Sequence, residues 1–213
     1  MKQLTLLIAL LLAFQLKAQT IQPDLTDRSL WELRGRDMKN LKSNEKNGVS
    51  FDYDEPIAVL VLKNHDFSTG TVEFDVRGRD VLQRCFVGMA FNIQNDSTYE
   101  AVYFRPFNFK NKETFRRLRA VQYISWPTYT WQKLREEHPN QFEHPVNLVP
   151  EAEEWFHAKI VIEAKSVSVF VNNSTEPSLV VQRLSSTTHG PVGLWVGDPT
   201  EGDFANLKIT PSK

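Results

Sequence analysis

The sequence is short of cysteine, of glycine and of any excess of charge, and each shortage closes off a class of function. Only Cys85 occurs in 213 residues, so no disulfide forms within the chain and no paired-cysteine zinc motif exists. The nine glycines build neither a phosphate-cradling loop nor a nucleophile elbow. With 25 basic against 26 acidic residues the net charge is −1, and loss of Lys2 and Lys17 with a leader would lower it further. No nucleic-acid partner is expected of such a balance. Long hydrophobic runs are missing too. The N-terminal run from Leu4 to Phe14 would reach roughly 16 Å as a helix, against a bilayer core of about 30 Å, so no membrane span is expected.

That same run, preceded by Lys2 and followed by the small residue Ala18, reads as a signal peptide over residues 1–18. Residues 19–213 are then one mature domain, secreted or periplasmic. Cys85 lies far from the cleavage point and carries no lipid there. Flanked by Arg84 and Phe86 with no base beside it in sequence, it reads as a packed residue rather than a nucleophile.

From Ser50 onward, short alternating runs separated by turn residues dominate, which is an all-β pattern. Candidate strands lie at 58–63, 70–78, 84–94, 98–106, 119–126, 155–165, 166–173, 178–184, 192–198 and 204–210. So many strands overload one open sheet, and two packed antiparallel sheets, a jelly-roll sandwich, are the expected solution. Residues 127–154 break the pattern. Pro127, Pro139, Pro145 and Pro150 forbid a regular strand or long helix, so a long loop insertion is expected, with a helical turn around Trp131 to Glu137.

Alternation assigns faces. In TYEAVYFRP, Tyr99, Ala101, Tyr103 and Arg105 share one face and Glu100, Val102 and Phe104 the other, the second being the better core. In TVEFDVR, Val72, Phe74 and Val76 point to the core and Glu73, Asp75 and Arg77 away from it. If these strands are neighbours, carboxylates, tyrosines and a guanidinium share one polar sheet face. In AVQYISW alternation leaves the buried face undecided, so both Gln122 and Tyr123 stand as candidates. A pyranose offers an apolar face to an aromatic ring and a rim of hydroxyls to polar groups. Tyr99, Tyr103, Arg105 and Asn108, joined by Gln122, Tyr123, Trp126 and Trp131, are therefore the candidate carbohydrate-binding set. The alternative is that the aromatics pack beneath the long loop while Arg105 pairs with an acidic residue. The stretch KNKETFRRLR, residues 110–119, sets five basic residues against Glu113; it is either a solvated loop or an attractor of an anionic sugar or polymer.

The segments DFSTGTVEFDVRG, FVGMAFN, EWFHAKIVIEAKSVSVFVNN and GPVGLWVGDPTEGDFANLKI resemble the concanavalin A-like lectin/glucanase superfamily, particularly the laminin G-like and 3-keto-disaccharide hydrolase-like domains of exported bacterial proteins. The resemblance implies a two-sheet jelly roll whose concave sheet carries a ligand, and a lectin-like role in binding carbohydrate. It equally admits a glycoside-cleaving enzyme, and a protein-interaction module is a third reading. Glycosidases of the superfamily present Glu-x-Asp followed by a second Glu. Glu73 and Asp75 fit the first two positions, but Arg77 and Gly78 occupy the places where that second Glu would stand. Candidates for acid/base work are thus Glu73, Asp75, Glu100 and His157, without an assigned pair. Asp198 and Asp203, in GDPTEGDF, offer oxygen ligands for Ca²⁺ or simply form a solvated turn. No other cofactor is expected.

Overall fold

The computed structural model describes residues 19–41, 46–54 and 56–212; the expected leader, residues 1–18, lies outside them. Its strands are β1 (Trp31–Arg34), β2 (Met38–Asn40), β3 (Gly48–Asp54), β4 (Ala58–Leu62), β5 (Gly70–Arg77), β6 (Val87–Asn95), β7 (Thr98–Phe104), β8 (Val121–Trp126), β9 (Glu143–His144), β10 (Phe156–Ile162), β11 (Ser166–Val171), β12 (Leu179–Gln182), β13 (Gly193–Val196) and β14 (Thr200–Pro211). Short helices α1 (Pro106–Phe109), α2 (Thr114–Arg117) and α3 (Trp131–Glu137) lie on either side of β8 in sequence. All pairings are antiparallel. A front sheet runs β1-β4-β13-β6-β7-β8-β9 and a back sheet β12-β11-β10-β5-β14-β3-β2.

The two layers follow from two kinds of strand. Along β5 and β10, buried and half-exposed residues alternate strictly, as expected of strands with one face on the core and one toward water. Val72, Phe74, Val76, Phe156, Ala158 and Ile160 supply the inner face. By contrast, β7 is buried on both faces from Tyr99 to Phe104, because the front sheet is covered on its outer side as well. Between the sheets, Phe104 of β7 meets Phe156 of β10 edge to face at 5.1 Å, and Phe109 of α1 meets the same ring at 5.3 Å.

All ten expected strands are present, and β1, β2, β3 and β9 are additional. The expected loop over 127–154 is corrected in one respect: besides α3 it contains β9, which pairs Glu143 with Gln122 and His144 with Val121 and so becomes the seventh strand of the front sheet. The expected common face for β5 and β7 is also corrected. They belong to different sheets, so Glu73 and Asp75 look out from the back of the sandwich while Tyr103 and Arg105 look out from the front. Among the described residues no helix is long and apolar enough to cross a membrane.

One buried ion pair ties the layers together. Glu100, fully buried, takes hydrogen bonds from Arg183 Nε and Nη2 at 3.1 and 2.7 Å. Tyr123 Oη donates to it at 2.6 Å, and Asn92 Nδ2 at 2.6 Å. Arg183 follows β12 of the back sheet, whereas Glu100, Tyr123 and Asn92 lie on the front one.

Candidate functional site

Register builds the floor of the site. Trp195 of β13 is opposite Gly88 of β6, Gly88 opposite Tyr103 of β7, Tyr103 opposite Gln122 of β8, and Gln122 opposite Glu143 of β9. These five residues form one row across the front sheet, pointing away from the back sheet. Gly88 is required there. A Cβ at that position would lie 2.1 Å from the Val102 carbonyl oxygen and 2.6 Å from Tyr103 Cα, and without it the Tyr103 and Trp195 rings meet at 5.0 Å. The next row on the same face, Gly193, Ala90, Ala101 and Ile124, is made mainly of small residues. The Trp195 indole reaches Tyr99 beyond that row, donating to its Oη at 3.4 Å.

Walls rise from the segments around β8. Arg105 follows β7, and Pro106 at the start of α1 turns the chain, which brings Phe107 and Asn108 to the rim. Arg116 and Arg119 come from α2 and the residues after it. Trp131 and Arg135 come from α3, whose first turn is capped by Thr130 accepting from the Lys133 amide at 3.3 Å. Phe86, Trp126, Trp195, Gly197 and Asp198 close the remaining side, around a pocket of about 500 Å³. That volume suits a small ligand, and a largely apolar lining with a few fixed polar groups is the usual composition of such sites.

The polar groups of the floor are held by one another. Tyr103 Oη donates to Gln122 Oε1 at 2.9 Å and accepts from Arg105 Nη2 at 2.8 Å. Arg105 Nη2 also donates to Gln122 Oε1, and its Nη1 donates to the Arg119 carbonyl at 3.0 Å. Glu143, 3% exposed, is the counter-charge. Arg135 donates to both its oxygens, Nε to Oε1 at 2.7 Å and Nη2 to Oε2 at 2.6 Å. Arg105 Nη1 stands 3.4 Å from Oε2 and Arg119 Nε 3.5 Å from Oε1. Burial draws the Arg105 guanidinium pKa down from its ordinary value, and Tyr103 and Glu143 oppose that; the group stays charged. Burial likewise pushes the Tyr103 phenol up. Asn108 donates to the Arg119 carbonyl at 3.1 Å, while its buried Oδ1 has no partner among the described residues.

The candidate sugar-binding residues are thus sorted by the fold. Tyr103, Arg105, Asn108, Trp126 and Trp131 line the pocket. Gln122 lies beneath them, fully buried, holding Tyr103 and Arg105 in place. Tyr99 sits behind Trp195. Tyr123 is a correction: it is paired with Val102 and points between the sheets, where its hydroxyl binds Glu100 and accepts from the Leu184 amide at 3.0 Å. The face that alternation left undecided is settled by β7, since Gln122 must share the side of its partner Tyr103. Phe86, Phe107, Arg135 and Trp195 were not anticipated. Their partners come from distant strands and helices, and only the WVGD and RCF context hinted at aromatics near the ends of β13 and β6.

None of the acid/base candidates lines this pocket. Glu100 is the buried partner of Arg183, and Glu73, Asp75 and His157 form a separate network on the outer face of the back sheet. There, His157 Nδ1 pairs with Asp75 Oδ1 at 2.9 Å, and Lys208 Nζ with Glu73 Oε2 at 2.8 Å. Burial works against the Asp75 charge, but hydrogen bonds from His157, Lys46 and Asn206 outweigh it and hold the carboxyl below the usual range. The same Asp75 bond raises the His157 pKa. The imidazolium therefore adds stability that is complete below the ordinary histidine pKa, about 6.5, and is lost as pH rises through the raised folded value. Melting temperature should fall as pH rises from about 6.5 through the raised folded value, and the fall should flatten in His157→Asn; an unchanged profile in that variant would show that the pair contributes nothing.

The two Ca²⁺ candidates, Asp198 and Asp203, have different surroundings. Asp203 is 2% exposed and its carboxylate is taken by Arg77 Nε at 2.8 Å and by Arg79, while Glu201 accepts from Arg79 Nε at 2.9 Å. Asp198 lies apart on the pocket rim. Among the described residues no group of three or more His, Cys, Asp or Glu side chains is placed to hold a metal ion. Cys85 is buried beside Arg79, and burial pushes its thiol up to about 12, which suits packing and not attack.

No protein-family model matches the chain, and no curated protein does. Solved structures match over nearly its whole length. A Bacillus subtilis protein with a galectin-like fold shares 12% identity at a TM-score of 0.58, over 90% of this chain and 94% of that one. The carbohydrate-binding module CBM66 from Bacillus subtilis shares 13% at 0.56, over 84% and 95%. A native glycosidic hydrolase shares 12% at 0.58, over 92% and 97%. At such identities the likeness is one of fold.

Proposed function

We propose that this concanavalin A-like jelly roll is a lectin-like carbohydrate-binding protein, exported by its N-terminal leader, that holds a sugar in the front-sheet pocket. The observation that carries the reading is the pairing of exposed aromatic surface with preset polar groups. Trp131, 45% exposed, and Trp126 offer ring faces for the C–H side of a pyranose, while Arg105 and Asn108 stand beside them, locked by Gln122 and the Arg119 carbonyl. Such groups bind without first paying to become ordered. The fold-level likeness to a carbohydrate-binding module agrees with this reading.

Cleavage is the less favoured chemistry for the same pocket. Glycoside hydrolysis ordinarily uses two carboxyl groups flanking the bond. Asp198 is the one carboxylate among the described lining residues, and Glu143 beneath them is engaged by guanidinium groups. The test is a thermal-shift screen of residues 19–213 against a glycan panel, because a ligand that binds the native state raises its melting temperature. A dose-dependent shift is expected, and Trp131→Ala, at an exposed position, should weaken binding about 2- to 10-fold, as loss of an aromatic contact implies. Persistence of full affinity in Trp131→Ala and Arg105→Met together would place any sugar site elsewhere.

A further inference from the structure

We propose that the sugar held in this pocket is acidic, a uronate whose carboxylate is taken by Arg119; this rests on the carbohydrate-binding reading and adds the charge of the ligand. The basic residues of the lining are all arginines: Arg105, Arg116, Arg119 and Arg135. Facing them are Glu143 in the floor, Glu113 paired with Arg116 Nε, and Asp198 on the opposite rim. The pocket therefore carries an excess of positive charge in a chain whose net charge is −1.

The distribution of donors matters more than the count. Glu143 is shared among three guanidinium groups and is saturated by the forked bond from Arg135. Arg119 reaches it with Nε alone, and among the described residues neither Nη of Arg119 donates to any protein acceptor. Its side chain is 36% exposed and lines the pocket, so a ligand there can reach those donors. Arg135 stacks its guanidinium on Trp131 at 4.9 Å and Arg119 lies over Phe115 at 5.5 Å. Arg135 commits its fork to Glu143, whereas the stacked plane of Arg119 keeps both Nη groups for a planar carboxylate, which a guanidinium binds through two parallel N–H···O bonds. A uronate presents such a carboxylate at the edge of a ring whose C–H face can lie on Trp131, so one ligand satisfies both features.

The experiment titrates residues 19–213 with oligosaccharides of glucuronate, galacturonate, mannuronate and guluronate, and with the methyl ester of each as a neutral twin. At least one acid is expected to bind about tenfold or more tightly than its ester, the size of a charge-assisted hydrogen bond, with affinity falling as salt is raised. Arg119→Gln should bring the ratio of acid to ester affinity toward one, whereas Arg119→Lys should retain part of it. Equal affinity for acid and ester, or binding of neutral sugars alone, overturns the acidic specificity while the carbohydrate-binding reading stands. Binding of no sugar, acidic or neutral, overturns both.

Discussion

Arg183→Ala is expected to lower the melting temperature by roughly 6–20 °C, the equivalent of about 3–5 kcal/mol in a chain of this size. The reason lies in what the substitution leaves behind. Glu100 has no exposed surface, and the side chain of Arg183 is 4% exposed, so water cannot replace the guanidinium. The carboxylate would keep the hydrogen bonds from Tyr123 and Asn92 but lose the positive charge beside it, in a layer otherwise filled by Phe91 and its neighbours. Forming such a pair gains little over an apolar substitute; breaking it by half is what costs. Adding Glu100→Gln to Arg183→Ala should therefore recover part of the loss. Thermal melts of the two single variants and the double variant check this, and strictly additive losses would show that the two groups are not coupled.

Glu143→Gln should have a comparable effect, about 3–5 kcal/mol, by the same principle acting on the opposite sign of charge. Glutamine preserves volume, yet Arg105, 5% exposed, would be left with neutral acceptors only, beside Arg135 and Arg119. Urea unfolding measures the loss; a variant that melts within about 2 °C of the parent would show that the carboxylate is not needed to neutralise the floor. The sign for ligand binding is reversed. A pocket relieved of its internal anion should hold a uronate more tightly, so stability and acidic-sugar affinity move in opposite directions in this one variant.

Much of the fold was legible because its strands obey one rule at a time. The strict alternation of TVEFDVR and FHAKIVI marks β5 and β10, and the aromatic-rich alternation of TYEAVYF assigns Tyr103 and Arg105 to the face away from the core. What alternation does not contain is pairing. Whether Glu73 lies beside Tyr103 depends on which strands are neighbours, and β5 and β7 are separated by a sheet-to-sheet crossover that leaves no local trace. Tyr123 was ambiguous for the same reason, since only its partner Val102 fixes its side. Strands β1, β2 and β9 are too short for a period to emerge, and β9 is a two-residue strand among prolines, created by the edge of β8. Arg116 and Arg119 stood out as a basic cluster, but their convergence with Arg135 required the helix and strand beyond β8 to fold back over the sheet.

Between Trp131 and Glu143 the chain supplies a stacking ring, a forked arginine and the carboxylate that balances it, all within a detour that leaves β8 and returns to its edge. Phe104, Phe156 and the Glu100–Arg183 pair of the inter-sheet layer come from other segments, but Phe142 of the detour lays its ring against Tyr123 at 6.0 Å, and Glu143 neutralises the floor. The detour is therefore lining and structural support at once, so a change of ligand preference made within it is felt by the framework as well.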